Sequence, residues 1–221
     1  MILSVQAVLF DLDGTLIDSA PDLAGAANDM RLARGLPAMP YESFRPLVGS
    51  GARGMVGAAF GVGPDEPEFA PLRDEFLARY EQRMMQATTV FANIWPLLTA
   101  LEAVAIPWGI VTNKAMRFTD PLVRALRLHR RAAVVVAGDS TPHAKPHPAP
   151  LIEAVRRIGV EPRHCAYVGD DLRDVQAGRS AGMTTVAVRW GYLGLGDLIE
   201  AWGADHIADS PADVLKRLAM T

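Results

Sequence analysis

Two aspartates separated by one residue directly follow the first apolar run of the sequence. The run covers residues 5–10, and Asp11 and Asp13 come next in the order Asp-Leu-Asp-Gly-Thr. If the extended geometry continues, both side chains point to similar sides, and burying them together costs free energy through desolvation and charge repulsion. A divalent cation or a catalytic role would offset that cost. The alternative is a helix-capping aspartate and a turn aspartate, and the spacing alone does not decide between these interpretations.

A second acidic group closes another apolar run far along the chain. Residues 165–168 are followed by the order Gly-Asp-Asp-Leu-Arg-Asp, which places carboxylates at Asp170, Asp171 and Asp174. Acidic residues at two strand ends of one sheet can converge on a hard cation, and carboxylates with water suit Mg²⁺. Asp171 or Asp174 is alternatively expected to cap the helix that begins here, but capping does not account for Asp170.

Neutral donors and a lysine complete the set of chemically useful residues. Thr112 and Asn113 follow the apolar run at residues 108–111, and Lys145 precedes the first of two prolines that stiffen its segment. A cation, a hydroxyl and an amide beside carboxylates and a metal suit the binding of a phosphoryl group. Each of these residues is common when it occurs alone.

The elements that must position these residues are short apolar strands alternating with amphipathic helices. This alternation predicts β-α-β units and a parallel sheet buried on both faces. In such sheets, ligands bind beyond the carboxyl ends of the strands, which is where the polar residues lie. The strands are expected at residues 5–10, 108–111, 132–137, 165–168 and 184–188, and two of the helices at residues 149–158 and 171–181.

The segment after the first strand differs from this alternation. Between residues 18 and 89 the sequence contains helix-like stretches with glycine and proline between them, and no convincing strand. We therefore predict an α/β fold with a Rossmann-like parallel sheet core, residues 1–17 and 90–221, and an inserted α-helical cap domain, residues 18–89. The stretches cover residues 21–36, 41–48, 52–60 and 67–86.

Composition limits the class of protein. The 221 residues carry a formal net charge of −3, and half of them are hydrophobic, which argues against a disordered chain or a protein that coats nucleic acid. The single cysteine excludes an intramolecular disulfide and a cysteine-built zinc site. The N-terminal residues lack the features of a signal peptide, and the longest apolar region is interrupted by polar residues and prolines. We expect a soluble cytoplasmic protein, monomeric or homodimeric, that contacts no membrane.

Taken in order, the motifs resemble those of the haloacid dehalogenase superfamily of aspartate-nucleophile phosphohydrolases. The resemblance spans the whole chain, and the insert is similar to the small helical cap of that family. Within it, the chain resembles phosphoglycolate phosphatases and, more closely, bacterial enzymes that remove phosphate from N-acetylmuramic acid 6-phosphate. Relatives often have a Pro-Gly turn that leads back to the core. Residues 91–96 of this chain have the order Phe-Ala-Asn-Ile-Trp-Pro instead. The motifs are DxDGT at 11–15, Thr-Asn at 112–113, Lys-Pro at 145–146 and GDxxxD at 169–174.

The resemblance implies a Mg²⁺-dependent phosphatase of a small phosphorylated metabolite. Asp11 is then the nucleophile that takes the phosphoryl group, and Asp13 is the general acid and later the general base. Asp11, the backbone carbonyl of Asp13 and Asp170 are the expected ligands of Mg²⁺.

Further roles follow from the same resemblance. Thr112, Asn113 and Lys145 are expected to hold the oxygens of the transferred group. Asp174 is expected to orient Lys145 or a metal-bound water, and the role of Asp171 stays open.

Specificity is expected to come from the cap, where residues 49–54 satisfy the pattern G-x-G-x-x-G. A dinucleotide site requires a preceding strand, and this segment follows a helical stretch instead. As the start of a helix, it could bind an anion together with Arg53, and the alternative is an exposed loop with a solvated arginine. We predict Arg53 as a partner for a carboxylate of the substrate. The G-x-S-x-G pattern at residues 178–182 lies after a helix and before a strand, which excludes a serine-hydrolase elbow.

Three other functions share features with this prediction. A phosphosugar mutase uses the same fold and nucleophile and differs in its product. A dehalogenase needs neither Asp13 nor Mg²⁺. A non-catalytic binding protein on this fold is expected to lack a motif residue, and none is missing.

Overall fold

The computed structural model of the chain describes residues 5–219. In chain order the strands are β1 (Ala7–Phe10), β2 (Ile17–Asp18), β3 (Thr89–Val90), β4 (Trp108–Val111), β5 (Val134–Val136), β6 (Cys165–Gly169), β7 (Thr184–Val188) and β8 (His206–Ala208). The helices are α1 (Ala20–Leu32), α2 (Gly51–Phe60), α3 (Phe69–Arg83), α4 (Ile94–Ala103), α5 (Met116–Ala125), α6 (Ala149–Ile158), α7 (Leu172–Ser180) and α8 (Pro211–Leu218).

Six of the strands form one parallel sheet in the order β5-β4-β1-β6-β7-β8. The five predicted apolar runs are all strands of this sheet, which confirms the Rossmann-like core. The sixth strand, β8, was not predicted, because it is three residues long and begins with a histidine. The carboxyl end of β1 lies between those of β4 and β6, because β1 pairs with both strands.

Both faces of the sheet are covered, as the continuous apolar runs predict. Leu9 and Tyr167 point to one face and pack with residues of α6 and α7. Val8 and Phe10 point to the other face and share a cluster with residues of α4, α5 and α8. Alternate residues of β1 therefore bury opposite faces, and the strand ends become the accessible part of the sheet.

The cap consists of α1, α2 and α3, which pack against one another. The predicted helix at residues 41–48 is instead two consecutive 3-10 helices, Tyr41–Ser43 and Arg45–Ser50. Pro46, in the first turn of the second of these, lacks an N–H donor and is tolerated at a helix start. Of the helices between residues 5 and 219, none is both long enough and apolar enough to cross a membrane.

A two-stranded antiparallel ribbon joins the cap to the core. Ile17 pairs with Val90 and Asp18 pairs with Thr89, so the chain leaves and returns at neighbouring positions. The expectation of no strand between residues 18 and 89 is therefore wrong at both ends, because two-residue strands are too short to show an alternating pattern. Beyond β3, Asn93 has a φ of 65° before α4, so an asparagine takes the left-handed position that glycine favours.

Candidate active site

The carboxyl ends of three neighbouring strands bring the predicted site residues to one edge of the sheet. Asp11 follows β1, Thr112 follows β4 and Asp170 follows β6. Lys145 reaches the same place from the loop between β5 and α6, and its Nζ lies 2.8 Å from Asp11 Oδ1. Residues that are far apart in the sequence therefore form one cluster, as expected for a parallel sheet.

Asp11 is a buried carboxylate with two unequal oxygens. Oδ1 accepts a hydrogen bond from Lys145, whereas Oδ2 has no hydrogen-bond donor in the part of the chain that the structure describes. Burial raises the pKa of Asp11 to about 7 against the attraction of Lys145, and the charges of Asp174 and Asp13 add to the rise. Oδ2 is thus free to bind a cation or to attack an electrophile.

Lys145 is held at the centre of a ring of oxygen atoms. Burial favours its neutral form, but Asp11 and Asp174 outweigh that effect and raise the pKa of Lys145 to about 12. The ammonium therefore stays charged at neutral pH, and its contact with Asp174 is the geometry that the predicted orienting role of Asp174 requires. Its oxygen neighbours at 2.7–3.1 Å are Asp11 Oδ1, Asp174 Oδ1, Tyr167 Oη and the carbonyl of Val111.

Three carboxylates, those of Asp11, Asp170 and Asp174, have oxygens within 4.8 Å of one another. Burial, followed by the charges of Asp11 and Asp174, raises the pKa of Asp170 well above its usual range. Lys145 supplies one positive charge against these three acidic groups. A hard divalent cation bound by oxygen ligands would balance the remainder, so the donor set fits such an ion.

The hydrogen bonds that these carboxylates accept distinguish possible metal ligands from groups that position other residues. Asp174 accepts from Lys145 and from the Tyr167 hydroxyl through Oδ1, and from the N–H of Asp171 through Oδ2. Asp170 accepts from the Thr15 hydroxyl and from the N–H of Tyr192, both at 2.8 Å, which fixes its carboxylate with one bond to each oxygen. Asp11 and Asp170 therefore have more free lone pairs for a cation than Asp174 has.

Gly14 explains how Asp170 comes so close to the first motif. Its φ is +87°, and a Cβ placed there would lie 2.1 Å from Asp170 Oδ2. Any side chain would push Asp170 away from the loop that follows β1, so this position requires glycine.

Thr112 and Asn113 differ in what their side chains contact. The hydroxyl of Thr112 is buried in the cavity wall and accepts a bond from the N–H of Lys114 at 3.2 Å. That hydroxyl keeps its own hydrogen for a ligand. Asn113 forms two reciprocal bonds at 2.9 Å with the backbone of Lys145. It therefore positions the lysine segment, and direct binding of substrate by Asn113 stays a prediction.

Asp13 is bound by two residues outside the predicted set of site residues, Lys114 and Ser19. Lys114 Nζ donates to both of its carboxylate oxygens, and the Ser19 hydroxyl donates to Oδ1. The ammonium of Lys114 also lies 4.9 Å from the centre of the Tyr80 ring, which comes from the cap. Lys114 belongs to the Thr-Asn-Lys segment, but its partner is 101 residues away, and no local pattern signals that contact.

A cavity of about 270 Å³ lies over these groups, between the core and the cap. Its volume is close to the lower end of ligand pockets, roughly 300 Å³, which suits a small metabolite. The core supplies the polar floor, including Asp11, Asp13 and Asp170, while the cap supplies apolar and aromatic walls, among them Phe76 and Tyr80.

Arg53 does not line this cavity. It is exposed at the start of α2 and lines a separate, open groove on the cap. The structure therefore does not bring Arg53 together with the other predicted site residues. The guanidinium groups that do line the catalytic cavity are those of Arg117 and Arg173.

Asp171 accepts hydrogen bonds at the N-terminus of α7 and, through Arg173, connects the core to the inserted domain. Its side chain accepts from the N–H of Arg173, which satisfies the start of α7, and Asp174 completes a capping box. Arg173 binds both oxygens of Asp171 at 2.7 Å and also donates to the carbonyl of Gly49 in the cap. The helix-capping alternative from the sequence thus holds for Asp171.

Comparison with known proteins shows the family to which the chain belongs. The family described as haloacid dehalogenase-like hydrolase matches residues 8–188 of the chain. The chain belongs to the haloacid dehalogenase-like hydrolase family. The resemblance predicted from the four motifs is thereby confirmed.

Two proteins similar to this hydrolase are named as phosphatases. It is 44% identical over 211 residues to an N-acetylmuramic acid 6-phosphate phosphatase of Pseudomonas aeruginosa, covering 96% of this chain and 93% of the relative. It is also 44% identical over 207 residues to a phosphoglycolate phosphatase of Xanthomonas campestris pv. campestris, covering 93% of each. The predicted enzyme class, a phosphatase of this family, is confirmed by these relatives.

Solved structures confirm the fold of this hydrolase. The crystal structure of a protein described as a predicted phosphoglycolate phosphatase from Haemophilus somnus superimposes with a TM-score of 0.85 at 29% identity. The superposition covers 98% of this chain and 99% of the other. The cap and the core thus both have counterparts in that structure.

Proposed function

We propose that the chain hydrolyses phosphate monoesters through a phosphoryl group carried on Asp11. The observation that carries the proposal is the unequal carboxylate of Asp11 at the cavity floor. Lys145 fixes Oδ1, and Oδ2 lacks a donor, which leaves one oriented nucleophilic oxygen. Membership of the hydrolase family supports this use of the residue.

The reaction consists of two phosphoryl transfers, first to Asp11 and then to water, and Asp13 moves a proton in opposite directions in the two. Asp11 Oδ2 forms a bond to phosphorus while the bond to the leaving oxygen breaks, and Asp13 gives that oxygen a proton. A water then attacks phosphorus, Asp13 takes its proton, and the bond to Oδ2 breaks to release phosphate. Lys114 and Ser19 hold the carboxylate of Asp13 in place for both transfers.

The phosphoryl oxygens need partners that are already in position. The hydroxyl of Thr112 has a hydrogen to donate at the cavity wall, and the fixed ammonium of Lys145 supplies positive charge. Such preorganised donors provide much of the catalysis in phosphoryl transfer.

The proposed cofactor is Mg²⁺, held by Asp11, Asp170 and the backbone carbonyl of Asp13. When bound, it would reduce the repulsion between the carboxylate of Asp11 and the phosphate dianion. The three mutually close carboxylates, with a single lysine among them, support this proposal.

The proposed substrate is N-acetylmuramic acid 6-phosphate, with 2-phosphoglycolate as the second candidate. Relatives named for each substrate are 44% identical to this chain, so overall identity does not separate them. The closer resemblance to enzymes that act on this sugar phosphate, carried in the sequence by residues 51–56, 108–114 and 169–174, favours it. Peptidoglycan recycling in the cytoplasm is the setting that this substrate implies, with residues 18–89 closing as a cap over the leaving group.

A phosphate-release screen tests the proposal. We expect purified enzyme with Mg²⁺ to release phosphate from N-acetylmuramic acid 6-phosphate faster than from 2-phosphoglycolate, N-acetylglucosamine 6-phosphate or nucleotides. Asp11→Asn should release less than about a hundredth as much, because an amide cannot form the acyl phosphate. Asp120→Asn, a change of a partly exposed residue on α5, is the matched control. An isomerised sugar phosphate without free phosphate would identify a mutase instead.

A further inference from the structure

Three of the four cationic side chains that line the catalytic cavity already have carboxylate partners. Lys145 pairs with Asp11 and Asp174, Lys114 pairs with Asp13, and Arg173 pairs with Asp171. Five aspartates line the same cavity. An additional negative charge on the leaving group would therefore meet repulsion unless a cation without a partner faced it.

Arg117 is that cation. It is exposed in the first turn of α5, it lines the cavity, and within residues 5–219 it has no hydrogen bond or ion pair. Its guanidinium lies over the ring of Phe118, with 4.4 Å between its Cζ atom and the ring centre. This contact leaves the N–H donors of the guanidinium without partners, and their planar arrangement suits a carboxylate.

A series of contacts places Arg117 on the side of the cavity where the leaving group must lie. The leaving oxygen has to meet Asp13, and Asp13 is bound by Lys114. Lys114 lies against the ring of Tyr80, whose centre is 5.5 Å from that of Phe118. Arg117 lies over the same Phe118, so the wall that carries Tyr80, Phe118 and the free guanidinium adjoins the proposed general acid on the cavity floor.

Tyr80 adds an independent observation on that wall. Its side chain is 1% exposed and lines the cavity, yet its hydroxyl has no hydrogen-bond partner among the described residues. A buried hydroxyl without a partner costs free energy, and a polar group of a bound ligand would remove that cost. The wall therefore contains a cation and a hydroxyl that the described residues leave without hydrogen-bond partners.

We infer that Arg117 binds a carboxylate in the leaving group of the substrate and that the Tyr80 hydroxyl bonds a second polar group of the same molecule. The inference rests on the proposed phosphatase activity and narrows its substrates to acidic phosphate monoesters. Arg117 thus takes the place of Arg53, which lines the outer groove of the cap, as the residue that binds the carboxylate of the substrate.

Paired substrates test the assignment of Arg117. N-acetylmuramic acid 6-phosphate carries a lactyl carboxylate that N-acetylglucosamine 6-phosphate lacks, and 2-phosphoglycolate is matched by ethyl phosphate. Arg117→Ala should lower kcat/KM for both acidic esters by about 10- to 100-fold and for the neutral esters by less than about threefold. Arg117→Lys should restore part of the loss, because it keeps the charge without the planar fork. Arg124→Ala, an exposed arginine further along α5, should change neither ratio.

Tyr80→Phe tests the second contact without disturbing the fold. Because the hydroxyl has no protein partner, the melting temperature should not fall, while kcat/KM for the acidic sugar should drop about three- to tenfold.

The outcomes separate this inference from the proposed function. Phosphate release from none of the esters by the wild type would overturn both. Three other outcomes would overturn only the assignment of Arg117. They are equal losses of kcat/KM on acidic and neutral esters in Arg117→Ala, a preference of the wild type for the neutral esters, and a loss of selectivity in Arg53→Ala instead of Arg117→Ala.

Discussion

Lys114 Nζ donates hydrogen bonds to both carboxylate oxygens of Asp13, at 2.9 and 3.0 Å. The lysine side chain is mostly buried, and Ser19 donates to the same carboxylate from the start of the cap. The proposed acid and base is therefore held from the core and from the cap together. A carboxylate that must both give and receive a proton at one point depends on such positioning.

Lys114→Met should lower kcat about 10- to 100-fold through loss of this positioning. The loss should be smaller with 4-nitrophenyl phosphate, because that leaving group needs little protonation. Steady-state kinetics with both substrates measure the difference, and Lys216→Met, an exposed change on α8, is the control. An equal effect of Lys114→Met on both substrates would contradict a role exerted through Asp13.

Asp13→Asn should still form the phosphoryl enzyme from 4-nitrophenyl phosphate and hydrolyse it slowly. The amide cannot remove the proton from water, so a burst of 4-nitrophenolate followed by slow turnover is expected. Rapid-mixing absorbance measurements detect the burst. Its absence, together with equal losses on activated and unactivated esters, would argue against the assigned acid and base role.

Asp11→Asn should stabilise the metal-free protein at pH 8 but not at pH 4. The pKa of Asp11 is about 7 in the folded chain against 3.8 ordinarily, so folded protein retains a proton that unfolded protein releases between these values. Wild-type stability should therefore fall as pH rises from about 4 to about 7, by up to about 1.4 kcal/mol per pH unit, and the variant lacks this contribution. Urea titrations in EDTA measure it. Parallel pH profiles of Asp11→Asn and wild type would refute it.

Mg²⁺ should raise the melting temperature and restore activity after EDTA treatment. At a hundredfold excess over its dissociation constant, a ligand adds about 2.7 kcal/mol, or roughly 5–10 °C for a chain of this size. Asp170→Asn should lose both effects. Ca²⁺ should inhibit, because it prefers longer bonds and more ligands than Mg²⁺. Full activity in chelator would rule out the metal.

The sheet and the cluster at its edge could be predicted because both follow from local pattern. Apolar runs of four to six residues mark β1, β4, β6 and β7, and parallel pairing then brings their carboxyl ends together. The convergence of Asp11 and Asp170 follows from that rule.

Contacts that depend on how the cap lies on the core could not be predicted in the same way. The glycine-rich start of α2 suggested an anion site at Arg53, but the direction in which α2 faces is set by the packing of α1, α2 and α3. The sequence contains no signal for a binding role of Arg117, because a lone arginine in the first turn of a helix has no distinctive spacing. Its lack of a partner is visible only in three dimensions.

The antiparallel pairing of β2 with β3 has a topological consequence. Asp18 and Thr89 lie opposite each other, so a long excursion of the chain begins and ends one strand spacing apart, about 5 Å. Because its two ends are adjacent, the inserted segment affects the central sheet no more than a tight hairpin would, whatever the length or structure of the insert. A different module could therefore be grafted between these two points without altering strand order or register. A module exchanged there would replace the wall that carries Phe76 and Tyr80, whereas Arg117 and the aspartates of the cavity floor would stay with the core.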